Sequence, residues 1–126
     1  MGVSGLALSE RVIGMAMDVH RHLGPGLLES AYEECLCREL EQGGVGFTRQ
    51  APVPVLYKGL RLDCAYRLDL LVEGELVVEI KAVDKLAPVH EAQLLTYLRL
   101  SGLRVGLLMN FNTARLKDGL RRMVND

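Results

Sequence analysis

The stretch from Asp69 to Lys81, DLLVEGELVVEIK, constrains this chain more than any other. It reads as the end of one apolar strand, at about residues 65–72, a tight turn, and a second strand at about 76–81. Yet Asp69, Glu79 and Lys81 stand among Leu, Val and Ile. A charge in apolar surroundings is costly unless it is paired or holds a metal. Side chains alternate across a strand, so register decides which residues meet. With Glu73-Gly74-Glu75 as a three-residue turn, Val72 faces Leu76, Leu70 faces Val78 and Leu68 faces Ile80, and these six share one apolar face. Asp69 then lies opposite Glu79 on the other face, with Lys81 two residues on. A two-residue turn would part the acids and spoil the apolar set.

Two adjacent carboxylates repel unless something positive lies between them. Carboxylate oxygens with a backbone carbonyl and waters suit Mg²⁺ or Mn²⁺. Lys81 would then orient or activate a water, or stabilise developing negative charge. A surface ion cluster, with Asp69 and Glu79 bracketing Lys81, is the other reading, since charged strand faces are common. The hairpin alone leaves both open.

Around the hairpin, Leu8, Val12, Met15, Ala16, Val19 and Leu23 recur at helical spacing, with Ser9 as N-cap. Gly24-Pro25-Gly26 breaks that helix. A second is expected over about 27–41, closed by Gly43-Gly44. Val53, Val55 and Tyr57 alternate as a strand before a Lys58-Gly59 turn. A helix starts near Pro88 and stops at Ser101-Gly102. Residues 104–109 form a short strand, and 113–124 a closing helix. The core order is α-β-β-β-α-β with an extra helix at each end, a single α/β domain with a mixed sheet over residues 1–126.

The chain has 126 residues, 49% hydrophobic and 25% charged, enough to bury a core without staples. With no Trp and two Phe, that core must be mostly aliphatic. A net charge of −1 argues against a broad basic nucleic-acid surface but leaves room for a local groove. Cys35, Cys37 and Cys64 lack metal-ligand spacing and read as free thiols in a reducing cytosol. The N-terminus lacks a basic start and a long apolar run, and no stretch has membrane-span length, so a cytoplasmic location and no membrane partner are expected.

Asp69, followed on the next strand by Glu79-Ile80-Lys81 within this element order, resembles the PD-(D/E)XK nuclease superfamily. Gln93 and Tyr97, on one face of the helix HEAQLLTYL, look like the Gln-x-x-x-Tyr element of its exonuclease-like branches. Gly26-Leu27-Leu28-Glu29-Ser30-Ala31-Tyr32 fits the pattern that names the GxxExxY family. The flanking VHRHLGPGLLESAY, EIKAVDKLAPVHEAQLLTYL and GLLMNFN also resemble that family, from about Val12 to Met123. Leu68 stands where the superfamily name has proline. The resemblance implies a restriction-endonuclease-like core and a Mg²⁺- or Mn²⁺-dependent nuclease. It implies metal ligation by Asp69, Glu79 and the Ile80 carbonyl, with Glu29 completing the shell or holding one of its waters. Lys81 matches the catalytic lysine, and Gln93 and Tyr97 match residues that position substrate or that lysine.

Other residues carry weaker signals. His20 shares a helix face with Ala16; a packing or capping role is expected, with reach to the site as the alternative. His90 is read as a solvated first-turn residue, with phosphate contact as the alternative. Tyr32 is given a supporting role beside Glu29, Glu33 and Glu34 are expected in solvent, and Asn112 is a candidate cap for the last helix. Lys85 reads either as a phosphate contact or as plain loop surface. Arg115, Lys117, Arg121 and Arg122 would line a phosphate-contacting stripe on that helix, or simply suit its dipole. Two functions remain: a nuclease acting on nucleic acid, DNA before RNA, and a non-catalytic nucleic-acid- or protein-binding module that keeps the nuclease fold. Such a small chain has little surface to grip a duplex, so a homodimer or partner subunit is expected in either case.

Overall fold

The computed structural model describes residues 5–125, without the side chains of residues 5, 6, 64 and 65. In chain order come helices α1 (Gly5–Leu23) and α2 (Glu29–Gln42), strands β1 (Phe47–Tyr57), β2 (Leu60–Val72) and β3 (Leu76–Lys81), and helix α3 (Pro88–Ser101). Strand β4 (Val105–Asn110), a 3-10 turn (Leu116–Gly119) and strand β5 (Leu120–Val124) complete the domain. The strands form one five-stranded mixed sheet in the order β1-β2-β3-β4-β5. All neighbours are antiparallel except β3 and β4, whose parallel pairing follows from the crossover through α3. Pro52 and Pro54 fall on β1, an edge strand, where a missing N–H is tolerated.

Helices cover both faces of the sheet. Val12, Ala16 and Val19 of α1 and Tyr32, Leu36 and Leu40 of α2 pack with Leu70, Val78, Ile80, Leu107 and Met109. On the other face, Leu94, Tyr97 and Leu98 of α3 pack with Ala51, Val53, Leu68, Val77 and Leu108. The absence of a side chain at Gly106 lets Leu94 seat against β4; a Cβ there would lie 2.9 Å from Leu94 Cδ1. That close seat sets α3, and with it Gln93 and Tyr97, against the sheet.

The hairpin register is the expected one: Leu70 faces Val78, Leu71 faces Val77 and Val72 faces Leu76. One detail differs. Leu70, Val72, Leu76, Val78 and Ile80 share the α1/α2 face, but Leu68 packs under α3. Alternation slips at Asp69, where side-chain carboxylates replace ladder partners between β2 and β3. Gln50, the residue of β1 between the pairs Arg49–Leu70 and Ala51–Leu68, has φ +52°. Both strands therefore turn over at the same level, and the sheet opens beside the acids.

The closing helix expected over 113–124 is instead a 3-10 turn and a strand. Leu120 and Met123 are three apart, a helical spacing, yet on β5 that odd separation sends Leu120 to one core and Met123 to the other. Strand β4 is buried on both faces and needs backbone partners along its free edge. The β5 residues supply them, Val124 pairing Val105 and Leu120 pairing Met109. Gly119 makes the approach feasible, since a Cβ there would stand 2.4 Å from the Asn110 carbonyl. The last helix being absent, Asn112 does not cap it; its amide N–H bonds Asn110 Oδ1 at 3.2 Å.

Helix α1 starts upstream of the expected residue 8, so Ser9 is not its N-cap. Ser9 is buried inside the helix and accepts a bond from Arg122 Nη1 at 3.2 Å. The Gly24-Pro25-Gly26 break is as expected, with φ +70° at Gly24 and +100° at Gly26, values only glycine adopts without strain. Cys35 and Cys37 are free thiols, and burial first of all pushes Cys37 up to about 11; the Cys64 side chain lies outside the described residues. No described helix is long and apolar enough to cross a membrane.

Candidate active site

Where β2 and β3 part, each acid is tied to the opposite strand. The Asp69 N–H donates to Glu79 Oε2 at 2.8 Å, and the Ile80 N–H donates to Asp69 Oδ2 at 2.8 Å. One oxygen of each carboxylate thus stands in for a ladder carbonyl, and the other makes no hydrogen bond among the described residues. Glu79 is only 6% exposed. Burial, then the Asp69 charge, pushes its carboxyl up to about 8. Burial also raises Asp69, against the pull of the Ile80 amide. Two acids this close and this dry resist joint ionisation unless a cation joins them.

Lys81 follows on the same strand and lowers both acids electrostatically. It makes no ion pair with either among the described residues, so the closed ion cluster around Lys81 lacks its contacts. Its carbonyl receives the Phe111 N–H at 2.9 Å, which fixes the strand end. Beyond it, buried Asn110 clamps the loop: Oδ1 accepts from the Val83 N–H at 3.0 Å and Nδ2 donates to the Val83 carbonyl at 2.9 Å. One side chain thus holds the exit of the strand that carries Glu79 and Lys81, a role that nothing in the residue pattern of 104–112 signals.

Glu29 opens α2, is exposed, and takes the Ala82 N–H on Oε2 at 3.2 Å. It stands at the end of β3 beside the acid pair. Among the described residues no three His, Cys, Asp or Glu side chains gather as a metal-binding group. The donors on offer to a cation are therefore the Asp69–Glu79 pair, with backbone carbonyl or water filling the remainder. That oxygen-only set has the chemistry of a Mg²⁺ or Mn²⁺ site, in which few protein carboxylates and several waters are the rule.

Tyr97 is buried against the sheet; burial, then the Glu79 charge, raises its phenol, and Tyr66 and Asp69 push the same way less strongly. Gln93, one turn earlier, is half-buried and makes no hydrogen bond among the described residues. Helix α3 is closed at its start by His90, whose Nδ1 accepts the Ala87 N–H at 2.9 Å while its own N–H donates to the Ala87 carbonyl. His90 is thus a half-buried helix cap rather than a solvated residue.

Tyr32 supports the site from a distance. Its ring stacks on Phe111 with centroids 4.5 Å apart, and its hydroxyl donates to the Gly24 carbonyl at 2.6 Å and accepts the Leu27 N–H at 3.1 Å. It pins the loop that delivers Glu29. His20 is packed near Phe111 and donates Nε2–H to the Thr113 carbonyl at 2.8 Å, a packing role.

Two further expectations fail. Glu33 is buried rather than solvated, and Arg49 of β1 clasps it through Nη2 at 2.9 Å and Nε at 3.0 Å while also reaching exposed Glu34. Glu33 lies one turn beyond Glu29, so a helical wheel of α2 would have placed it toward the sheet with it. The basic stripe does not form either. Arg121 and Arg122 alternate on β5, Arg122 reaching Ser9 of α1 and Arg121 lying 3.7 Å from Glu91 of α3. Arg115 pairs with Asp118, and Lys85 is exposed loop surface.

No curated protein matches the chain. The crystal structure of SSO0001 superposes with a TM-score of 0.57 at 21% identity, covering 76% of this chain and 49% of that one, so the chain spans about half the length of that relative in fold. A family model of the PD-(D/E)XK nuclease superfamily matches residues 7–123. Nearly every described element lies inside that match, with the acid pair, Glu-x-Lys and the α3 face at its centre, and the chain belongs to the PD-(D/E)XK nuclease superfamily.

Proposed function

We propose that this chain is a divalent-metal-dependent nuclease of the GxxExxY branch that hydrolyses phosphodiester bonds, of DNA in preference to RNA. The observation that carries the reading is the Asp69–Glu79 pair, a half-buried and a buried carboxylate side by side, each anchored through one oxygen and each with its other oxygen uncommitted among the described residues. Asp69, Glu79 and the Ile80 carbonyl would hold Mg²⁺ or Mn²⁺. A bound cation supplies charge neutralisation at the phosphate and makes water a better nucleophile near neutral pH.

The protein's own groups do the rest. Asp69 and Glu79 are held by each other's strands, so little reordering accompanies cation binding. Lys81 carries a positive charge beside both acids without being consumed by an ion pair, free to steady an attacking water or a phosphate oxygen. Glu29, with one oxygen on the Ala82 amide, has the other to hold a water at the strand end. Gln93 and Tyr97 offer an amide and a phenol on one helix face to orient the strand being cut. A second copy of the chain, or a partner subunit, would enlarge the grip on nucleic acid. Leu56, Tyr57, Leu60 and Leu62, exposed on the outer β1–β2 hairpin, supply apolar surface for such a contact.

Labelled single- and double-stranded DNA and RNA, incubated with Mg²⁺ or Mn²⁺ and with wild type, Lys81→Ala or Asp69→Ala, test the proposal. It expects cleavage by wild type alone, fastest on DNA. Binding with no cleavage under any metal would instead favour the non-catalytic module.

A further inference from the structure

Tyr66 lies on β2 three residues before Asp69, and nothing in the motif accounts for it. The residue is 45% exposed. It leans on Tyr97 with centroids 5.6 Å apart and planes tilted by 49°. Tyr97 in turn feels the charges of Glu79 and Asp69. Tyr66 is therefore the outer ring of a two-ring step that leads from solvent to the acid pair. Its hydroxyl makes no hydrogen bond among the described residues, so no polar contact explains a large aromatic left half in water. An open aromatic face is the kind of surface on which an unpaired nucleobase stacks.

We infer that Tyr66 is a substrate-stacking residue that seats an unpaired nucleobase next to the scissile phosphate, which makes single-stranded or frayed nucleic acid the preferred substrate. The inference rests on the nuclease reading of the same site. Within a duplex both faces of a base are covered by its neighbours, so an isolated ring can stack only on a base that is unpaired or at an end. A net charge of −1 also argues against a wide basic surface that tracks a duplex backbone. A base seated on Tyr66 would place its phosphate beside Tyr97.

The chain has no tryptophan, so Tyr66→Trp creates a single fluorescent reporter at the platform. Titrating it with short oligothymidylate in EDTA, where nothing is cut, should quench and shift the emission, while a blunt hairpin duplex should not. In Mg²⁺ or Mn²⁺, Tyr66→Ala should raise KM for single strands by roughly tenfold, the usual worth of one base–aromatic stack, with kcat largely kept. Tyr66→Phe should restore wild-type KM, because stacking needs the ring and not the hydroxyl. Unchanged Trp emission, or equal losses on single strands and duplex, would overturn the inference. If metal binds and wild type cleaves but Tyr66→Ala matches it, stacking fails and the nuclease reading stands. If wild type neither binds metal nor cleaves any substrate, both fall.

Discussion

Glu79→Gln separates what the acid pair does for chemistry from what it does to the fold. Glutamine keeps an oxygen for the Asp69 N–H at 2.8 Å and nearly the same volume, so packing is unchanged. What it removes is a buried charge beside Asp69. In the metal-free fold the Glu79 carboxyl is pushed from 4.5 to about 8, by burial and then by Asp69. The folded protein therefore keeps a proton that the unfolded chain releases. This contribution to stability is fully present below about pH 4.5 and is lost as pH rises through about 8. At about 1.4 kcal/mol per tenfold change in proton affinity, the whole displacement corresponds to about 5 kcal/mol. Thermal denaturation in EDTA should show wild type well below Glu79→Gln at about pH 8, by roughly 10 °C, and close to it at about pH 5. Added Mn²⁺ should raise the melting temperature of wild type and leave the variant where it was. If the glutamine variant were the less stable at both pH values, the pair would be a structural bridge and not a strained cation site.

Three further outcomes follow from the geometry. Tyr32→Phe removes the hydroxyl that holds the Gly24 carbonyl and the Leu27 N–H; stability should fall by about 1–2 kcal/mol in urea titration, and cleavage should slow because the loop delivering Glu29 is released. Gly119→Ala forces a Cβ to within 2.4 Å of the Asn110 carbonyl, a clash with backbone that no rotamer relieves; a loss of about 2–4 kcal/mol is expected by calorimetry. Arg49→Met leaves buried Glu33 without its clasp and should cost about 1–3 kcal/mol, and Arg49→Met combined with Glu33→Leu should recover most of it.

The hairpin was legible because its information is local. Five alternating apolar residues admit one register, and that register brings Asp69 to Glu79. The turnover at Asp69 was not legible, because it depends on side-chain carboxylates taking backbone partners and on a positive φ at Gln50, neither of which leaves a pattern in residue type. The C-terminal strand was misread for a related reason. Leu120 and Met123 satisfy a helical period, and only the unpaired edge of β4, a tertiary demand, turns them into a strand. Glu33 was missed because an acid on an amphipathic helix is usually solvated; its partner Arg49 comes from a strand sixteen residues away. Tyr66 carries no motif at all, and its place beside Tyr97 arises only when β2 and α3 pack on one face.

That Asp69 and Glu79 form a cation site is open to calorimetric titration of Mn²⁺ into wild type and Asp69→Asn. Wild type should bind, more weakly as pH falls and Glu79 takes up its proton, and the variant should not. Equal binding to both proteins, or none to either, would contradict it.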